Sequence, residues 1–365
     1  MSFESPRETP RKFLENIQSL RAIATLMIVA SHWRSIDSKY SGDPLNLFNY
    51  LGFGRFAIDM FFVVSGFIMV YISWTSRDTL KARAKQAGRF LFARTTRIFP
   101  IYWIISGAIF VLYLFRPDWV FSSSALSPNI IKSIFLWPDT APPLLAVAWT
   151  LVHELEFYLI FAVMMLIPRG KRLYGLGLWA LILTIGQLQG WRNLGPVRNI
   201  VFSPFTYDFI AGTFLAYLYQ SQKFTIRNTA ILWGGFILSF LWAYLAYLYY
   251  QPFIYDSLTR VLIYIVPAIV IVYTMCELNR QNQLLPKWLQ TIGNWSFVLY
   301  LTHVLTLSVL GRLWTFLNAP NSAADNLVMF TIALGLTIMV AGLIYSFIEL
   351  PIRSVTNRWR KSFLN

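Results

Sequence analysis

Ten apolar runs of about 17 to 24 residues, separated by short basic or proline-containing segments, organise this 365-residue chain. A buried helix of a soluble domain needs about 10 to 14 such residues, whereas a bilayer core of ~30 Å needs about 20. Charged residues make up 13% of the chain and apolar ones 56%, against roughly 25% charged in soluble domains. Solvation by lipid accounts for both facts. The expected fold is all-α, a polytopic membrane helix bundle with spans at 17–36, 56–75, 99–116, 144–167, 173–189, 204–220, 229–250, 259–276, 293–311 and 326–348. No polar block is long enough for a second folded unit, so residues 1–365 read as a single membrane domain.

The net charge of +15 is dispersed over the loops and forms no nucleic-acid patch. With the N-terminus inside, the inner segments hold Arg7, Arg11 and Lys12, then seven basic residues from Arg77 to Arg97, and further groups ending with Arg358, Arg360 and Lys361. The inner segments total 21 basic residues and the outer ones nine, which puts both termini in the cytoplasm. Three His and one Cys exclude a disulfide framework and argue against a multi-ligand zinc site. Cys276, in an apolar run, reads as packing filler. Met1–Asn16 is polar and no small-residue cleavage site follows the first run, so no signal peptide is expected.

Ionisable groups at membrane depth cost several kcal/mol unless paired or wet, so each is a functional candidate. Arg21 and His32 are eleven residues apart on the first helix. At 100° per residue they differ by about 20°, so they share a face, separated along the axis by about 16 Å. Snorkelling to the two headgroup layers is the alternative reading. The fourth helix runs outside to inside and opens with Trp149-Thr150-Leu151-Val152-His153-Glu154-Leu155-Glu156, which puts Glu154 near the depth of His32. A carboxylate beside an imidazole fixes its tautomer and raises its basicity, as a general base requires. Glu154 and Glu156 lie about 200° apart, so at most one faces His32, and His153 is assigned to the outer rim. Asp59 and Asp208 start near the outer face, and either line the same cavity or cap helix N-termini. His303, after Tyr300 and Thr302, is a substrate-lining candidate or an interhelical hydrogen-bond partner. Arg94 and Arg97, read as the cytoplasmic start of the third helix, can grip a phosphate with the help of free backbone N–H groups, or contact anionic lipid.

Asn16-Ile17-Gln18-Ser19-Leu20-Arg21 through His32, Phe61-Phe62-Val63-Val64-Ser65-Gly66-Phe67, Arg94-Thr95-Thr96-Arg97, Trp149-Thr150-Leu151 with Glu154 and Tyr158, Ser296 to His303, and Glu349-Leu350-Pro351-Ile352-Arg353 appear in the order of known motifs. As a set they resemble the acyltransferase-3 family of membrane enzymes that O-acylate surface and exported polysaccharides. The Asn-Ile-Gln opening and the Trp-Thr-Leu block look most like exopolysaccharide acetyltransferases.

The resemblance implies an acyl-CoA co-substrate, usually acetyl-CoA, with no permanently bound cofactor. Its phosphates would be held by Arg94 and Arg97, with Arg21 deeper. His32, oriented by Glu154, would deprotonate a sugar hydroxyl of a polysaccharide or lipid-linked oligosaccharide. Ser65, Tyr158 or Arg21 would stabilise the tetrahedral oxygen. Direct transfer and a transient acyl-His both fit, and Asp59, Asp208 and His303 complete the candidate substrate contacts. The implied location is the bacterial inner membrane, in contact with lipid. Trp119, Phe121 and Trp137 in the 117–143 segment suit sugar stacking or interfacial anchoring. A succinyl donor for a glucan, or a transporter of lipid-linked sugars with no acyl-CoA requirement, are the rival readings.

Overall fold

The computed structural model describes residues 14–40, 48–73, 79–120, 127–250, 258–317 and 322–364, and the side chains as far as Trp359. Arg7, Arg11, Lys12, Arg77 and Phe121, and the side chains of Arg360 and Lys361, lie outside this description. Ten helices overlay the ten expected spans: α1 (Glu15–Tyr40), α2 (Ala57–Ile72), α3 (Leu80–Phe115), α4 (Trp149–Met165), α5 (Arg172–Leu188), α6 (Thr206–Ser221), α7 (Thr229–Tyr250), α8 (Leu258–Arg280), α9 (Lys287–Phe316) and α10 (Ala323–Ile344). A π-helical turn, Tyr345–Glu349, leads into α11 (Leu350–Leu364). Seven described segments are long and apolar enough to cross a membrane by themselves. The remaining three are α1, whose buried side includes Asn16, Ser19, Thr25 and Ser31, and α5 and α6, only 17 and 16 residues long. The chain is a multi-pass helical membrane protein.

Contacts between helices fix their directions. Gly293 meets the backbone of Gln18 and Gly311 meets Ile36 and Tyr40, so α1 and α9 run parallel in constant register. Phe62 packs on Phe205 and Phe209 while Phe67 and Tyr71 pack on Tyr219, which makes α2 and α6 parallel as well, with Gly66 against the Phe209 carbonyl and Gly212 against that of Val63. A Cβ at Gly66, Gly212 or Gly293 would collide with main chain. Without a hydrophobic drive between helices in lipid, such close backbone approach supplies the packing energy. In contrast, Thr274 donates to the Leu232 carbonyl and Trp242 Nε1 to that of Ile263, so α7 and α8 are antiparallel. All three pairings agree with the alternation that ten spans require.

Two local features differ from expectation or extend it. The third helix does not begin at Phe99; it starts at Leu80, capped by Thr79, whose hydroxyl accepts from Ala82 N–H at 3.3 Å, and it carries Pro100 in its interior. Pro100 removes one helical hydrogen bond, and Thr96 bonds back to the Phe92 carbonyl at 2.6 Å in the turn before it. Asn16 is structural. Its backbone and side chain bond Asn279, the Gln283 carbonyl and the Leu285 N–H at 2.8 to 3.0 Å, which clips the start of α1 to the α8–α9 connection.

Candidate active site

A narrow cavity of about 110 Å³ lies inside the bundle. Five helices supply its polar lining: Arg21 from α1, Ser65 from α2, Arg94 and Arg97 from α3, Glu154 and Tyr158 from α4, and Ser296 and Tyr300 from α9. Six of the ten residues expected to form a site from sequence are thus brought together on one cavity. Arg21 and Ile28 line it from the same stripe of α1, and His32 is the next turn of that stripe, as the eleven-residue spacing implies.

Glu154 is the hub of the acidic side. The Ser65 hydroxyl donates to its Oε1 at 3.0 Å, and the Tyr158 hydroxyl donates to the same oxygen. Arg94 lies over the rings of Phe90 and Tyr158, at 5.6 and 5.7 Å. Arg21 donates to Gln18 Oε1 at 3.2 Å and is within electrostatic reach of Arg97, Glu154 and Glu349. Three guanidinium groups therefore share this region with two carboxylates, an arrangement that leaves net positive charge for an anionic ligand. Arg94 and Arg97 sit well inside α3, so their backbone N–H groups are not the free ones of a helix start, and any phosphate grip falls to the side chains. Glu156 points elsewhere. Its carboxylate oxygens are buried without a hydrogen-bond partner among the described residues.

His32 has different partners from the Glu154 contact expected of it. Its Nδ1 lies 3.0 Å from the Ile28 carbonyl and 3.2 Å from His303 Nε2, and the two imidazoles meet edge to face at 4.8 Å. His303 Nδ1 is 2.6 Å from the Tyr300 carbonyl. A carbonyl only accepts, so His303 carries its proton on Nδ1 and presents Nε2 as an acceptor. His32 Nδ1, facing two acceptors, carries the proton of its own ring. The lone pair of a neutral His32 is then on Nε2, the nitrogen a general base uses. His303 does not line the cavity; it is hydrogen-bonded to His32, which fits the expected role of an interhelical hydrogen-bond partner. Tyr300, one turn before it, ties α9 to the start of α4 through Thr150 Oγ1 and the Val147 carbonyl, both at 2.8 Å.

Asp59 and Asp208 also lie apart from this cavity. They are fully buried and meet in the first turns of the parallel α2 and α6, and Arg260 of α8 reaches Asp59 Oδ2 at 2.7 Å. Arg260 also donates to the Arg55 carbonyl at 3.0 Å and stacks over Phe205 at 5.0 Å. Phe62, Phe205 and Phe209 pack together beside this cluster. The acids neither line the cavity nor simply cap their helices; Asp59 joins α2 to α8 through Arg260, and Asp208 of α6 lies beside the pair. Arg260, one of the nine basic residues counted in the outer segments, is instead buried at the second position of the expected span 259–276. Sequence reasoning gave Glu349 no role, and the π-helical turn that brings this acid toward Arg21 and Arg97 leaves no mark in a periodicity reading.

Fold and site together define a membrane-embedded bundle around a cationic polar cavity, with the His32 imidazole one helical turn beyond Ile28 of its lining. Residues 14–346 match the acyltransferase domain of the acyltransferase-3 family, and the chain belongs to that family. It is similar to the exopolysaccharide production protein ExoZ of Rhizobium meliloti, 30% identical over 44% of this chain and 49% of that protein. It is also similar to the peptidoglycan O-acetyltransferase OatA of Listeria monocytogenes, 25% identical over 94% of this chain and 56% of that one. The chain thus spans about half the length of these curated relatives. No solved structure matches it.

Proposed function

We propose that the protein is an O-acetyltransferase of the bacterial inner membrane. It moves an acetyl group from acetyl-CoA to a hydroxyl of an exopolysaccharide or of its lipid-linked repeat unit. The observation that carries this reading is the His32–His303 pair, which leaves His32 Nε2 as a base one helical turn beyond Ile28, which lines a cavity rich in arginine. A cavity this narrow suits a thin pantetheine arm, with Arg94 and Arg97 holding the phosphates from the inner side.

In the reaction, His32 Nε2 takes the proton of the acceptor hydroxyl as its oxygen bonds to the thioester carbonyl carbon. The carbonyl oxygen gains the negative charge. Ser65 and Tyr158 already commit their protons to Glu154, so Arg21 is the donor left to stabilise that charge. Collapse of the intermediate breaks the carbon–sulfur bond, and the thiolate of CoA recovers the proton from His32. Glu154 fixes the positions of Ser65 and Tyr158 and offsets the arginines electrostatically.

The test is purified protein with radiolabelled acetyl-CoA and base-deacetylated polysaccharide from the source organism. Label is expected in the polymer, with unlabelled succinyl-CoA a poor competitor. Label that stays wholly in acetyl-CoA contradicts the reading, and incorporation of succinyl in its place changes the donor.

A further inference from the structure

A second cavity, of about 370 Å³, opens beside the outer end of α4. Its size falls in the range of small-molecule sites, about 300 to 1,000 Å³. It shares one turn of helix with the first cavity. Trp149, Val152 and His153 face the outer cavity, while Thr150, Leu151 and Glu154 face the inner one. At 100° per residue these two sets lie on nearly opposite sides of α4. The roof is the segment from Asn129 to Pro143, which is firmly built. Tyr102 donates to the Ser133 carbonyl at 2.6 Å, Trp103 Nε1 to that of Ile134 at 2.9 Å, and Leu144 N–H to Ser133 Oγ at 3.0 Å.

Trp137 is presented by a strained turn. The short helix Ile130–Ile134 ends with Trp137 N–H bonded to the Lys132 carbonyl at 2.8 Å and Leu136 N–H to that of Ser133 at 3.1 Å. This is the bond pattern of a Schellman cap, which normally places glycine where Leu136 stands. Leu136 adopts φ of 52° with its side chain buried, and Trp137 is turned outward, 60% exposed, on the cavity wall. A left-handed leucine costs about 1 to 2 kcal/mol, and such strain collects where a side chain must be aimed. The charged groups lining the cavity are Lys132 and Asp139, and they neutralise each other at 2.8 Å. The hydrogen bond from Lys132 holds the Asp139 carboxyl below the usual carboxylate range, so it stays ionised at neutral pH.

We propose that this outer cavity is a sugar subsite that takes one uncharged pyranose ring of the acceptor polymer. Its apolar face stacks on Trp137, and its hydroxyls meet Asp139, Asn199 and His153. The ring held here lets a neighbouring ring of the same polymer reach over the start of α4 toward His32. The absence of surplus charge on the lining selects a neutral sugar over a phosphate or a lipid headgroup. The assignment to the acceptor rests on the acetyltransferase reading, while sugar binding itself does not.

Saturation-transfer NMR on the full-length protein in lipid nanodiscs tests it, with the methyl glycosides of glucose, galactose and glucuronic acid, and inorganic phosphate, as probes. The neutral glycosides are expected to take saturation from wild type and from His32→Ala. The signal drops about tenfold in Trp137→Ala, the loss of roughly one aromatic contact, and survives in Trp137→Phe. Equal signals in wild type and Trp137→Ala, or stronger signals from glucuronide or competition by phosphate, overturn the proposal. The acceptor KM of Trp137→Ala should rise with kcat little changed. Sugar binding without any acetyl transfer by wild type refutes the enzyme reading alone. Acetyl transfer with an unaltered KM in Trp137→Ala refutes the subsite alone.

Discussion

Two groups of buried charge stand in this bundle, and they are built on opposite plans. The Asp59–Asp208–Arg260 cluster is closed off from the cavity: Arg260 of α8 bonds Asp59 of α2, Asp208 of α6 lies beside them, and aromatic rings pack around the group. The Arg21–Arg94–Arg97 group with Glu154 is open. It borders a cavity and its cations outnumber the acids. Charge at membrane depth thus occurs here in two settings, one bordering a cavity and one tying helices together.

The largest effect expected from this contrast lies on the open side. Replacing Arg94 and Arg97 together by Ala should raise the KM for acetyl-CoA about a hundredfold, as two charge-assisted contacts are lost. Initial rates at varied donor concentration check this. If kcat falls and KM stays fixed, the arginines serve the bundle and not the phosphates. A smaller effect is expected one layer out. His303→Ala should lower kcat about tenfold by freeing the His32 tautomer, while His303→Gln, which keeps an acceptor near His32 Nδ1, should recover part of the loss. Equal rates in both variants would make the imidazole pair mere packing. The closed cluster should give the smallest kinetic effect. Arg260→Met should destabilise the protein by about 3 kcal/mol, since it leaves two buried carboxyls without their cation. Thermal unfolding in detergent reads that loss, and the KM values of the surviving folded fraction should stay at wild type. A shift in donor KM for Arg260→Met would erase the distinction between the two clusters.

Much of the bundle is legible because lipid punishes exceptions. The apolar run lengths locate all ten helices, and the spacing of Arg21 and His32 correctly places both on one stripe of α1. The same cost of burying charge singles out Glu154, Arg94 and Arg97. What escapes the sequence is pairing between helices far apart in the chain. His303 lies 271 residues from His32, and nothing local distinguishes a histidine that orients another from one that contacts substrate. Asp59 and Asp208 sit in first turns, where an acid that caps a helix and an acid that binds a third helix look alike. Pro100 misleads in a different way. Proline favours a helix start, yet here it lies inside a 36-residue helix, and that longer helix takes the free N–H groups away from Arg94 and Arg97.

Single-turnover transfer from radiolabelled acetyl-CoA to deacetylated polysaccharide, run with wild type and His32→Ala in matched nanodiscs, interrogates the chemistry at its centre. Loss of the imidazole should slow transfer by about a thousandfold or more while acetyl-CoA still binds, as removal of a general base requires. A His32→Ala protein that transfers acetyl at the wild-type rate would show that the proton leaves by another route, and that the paired histidines hold helices together and do nothing more.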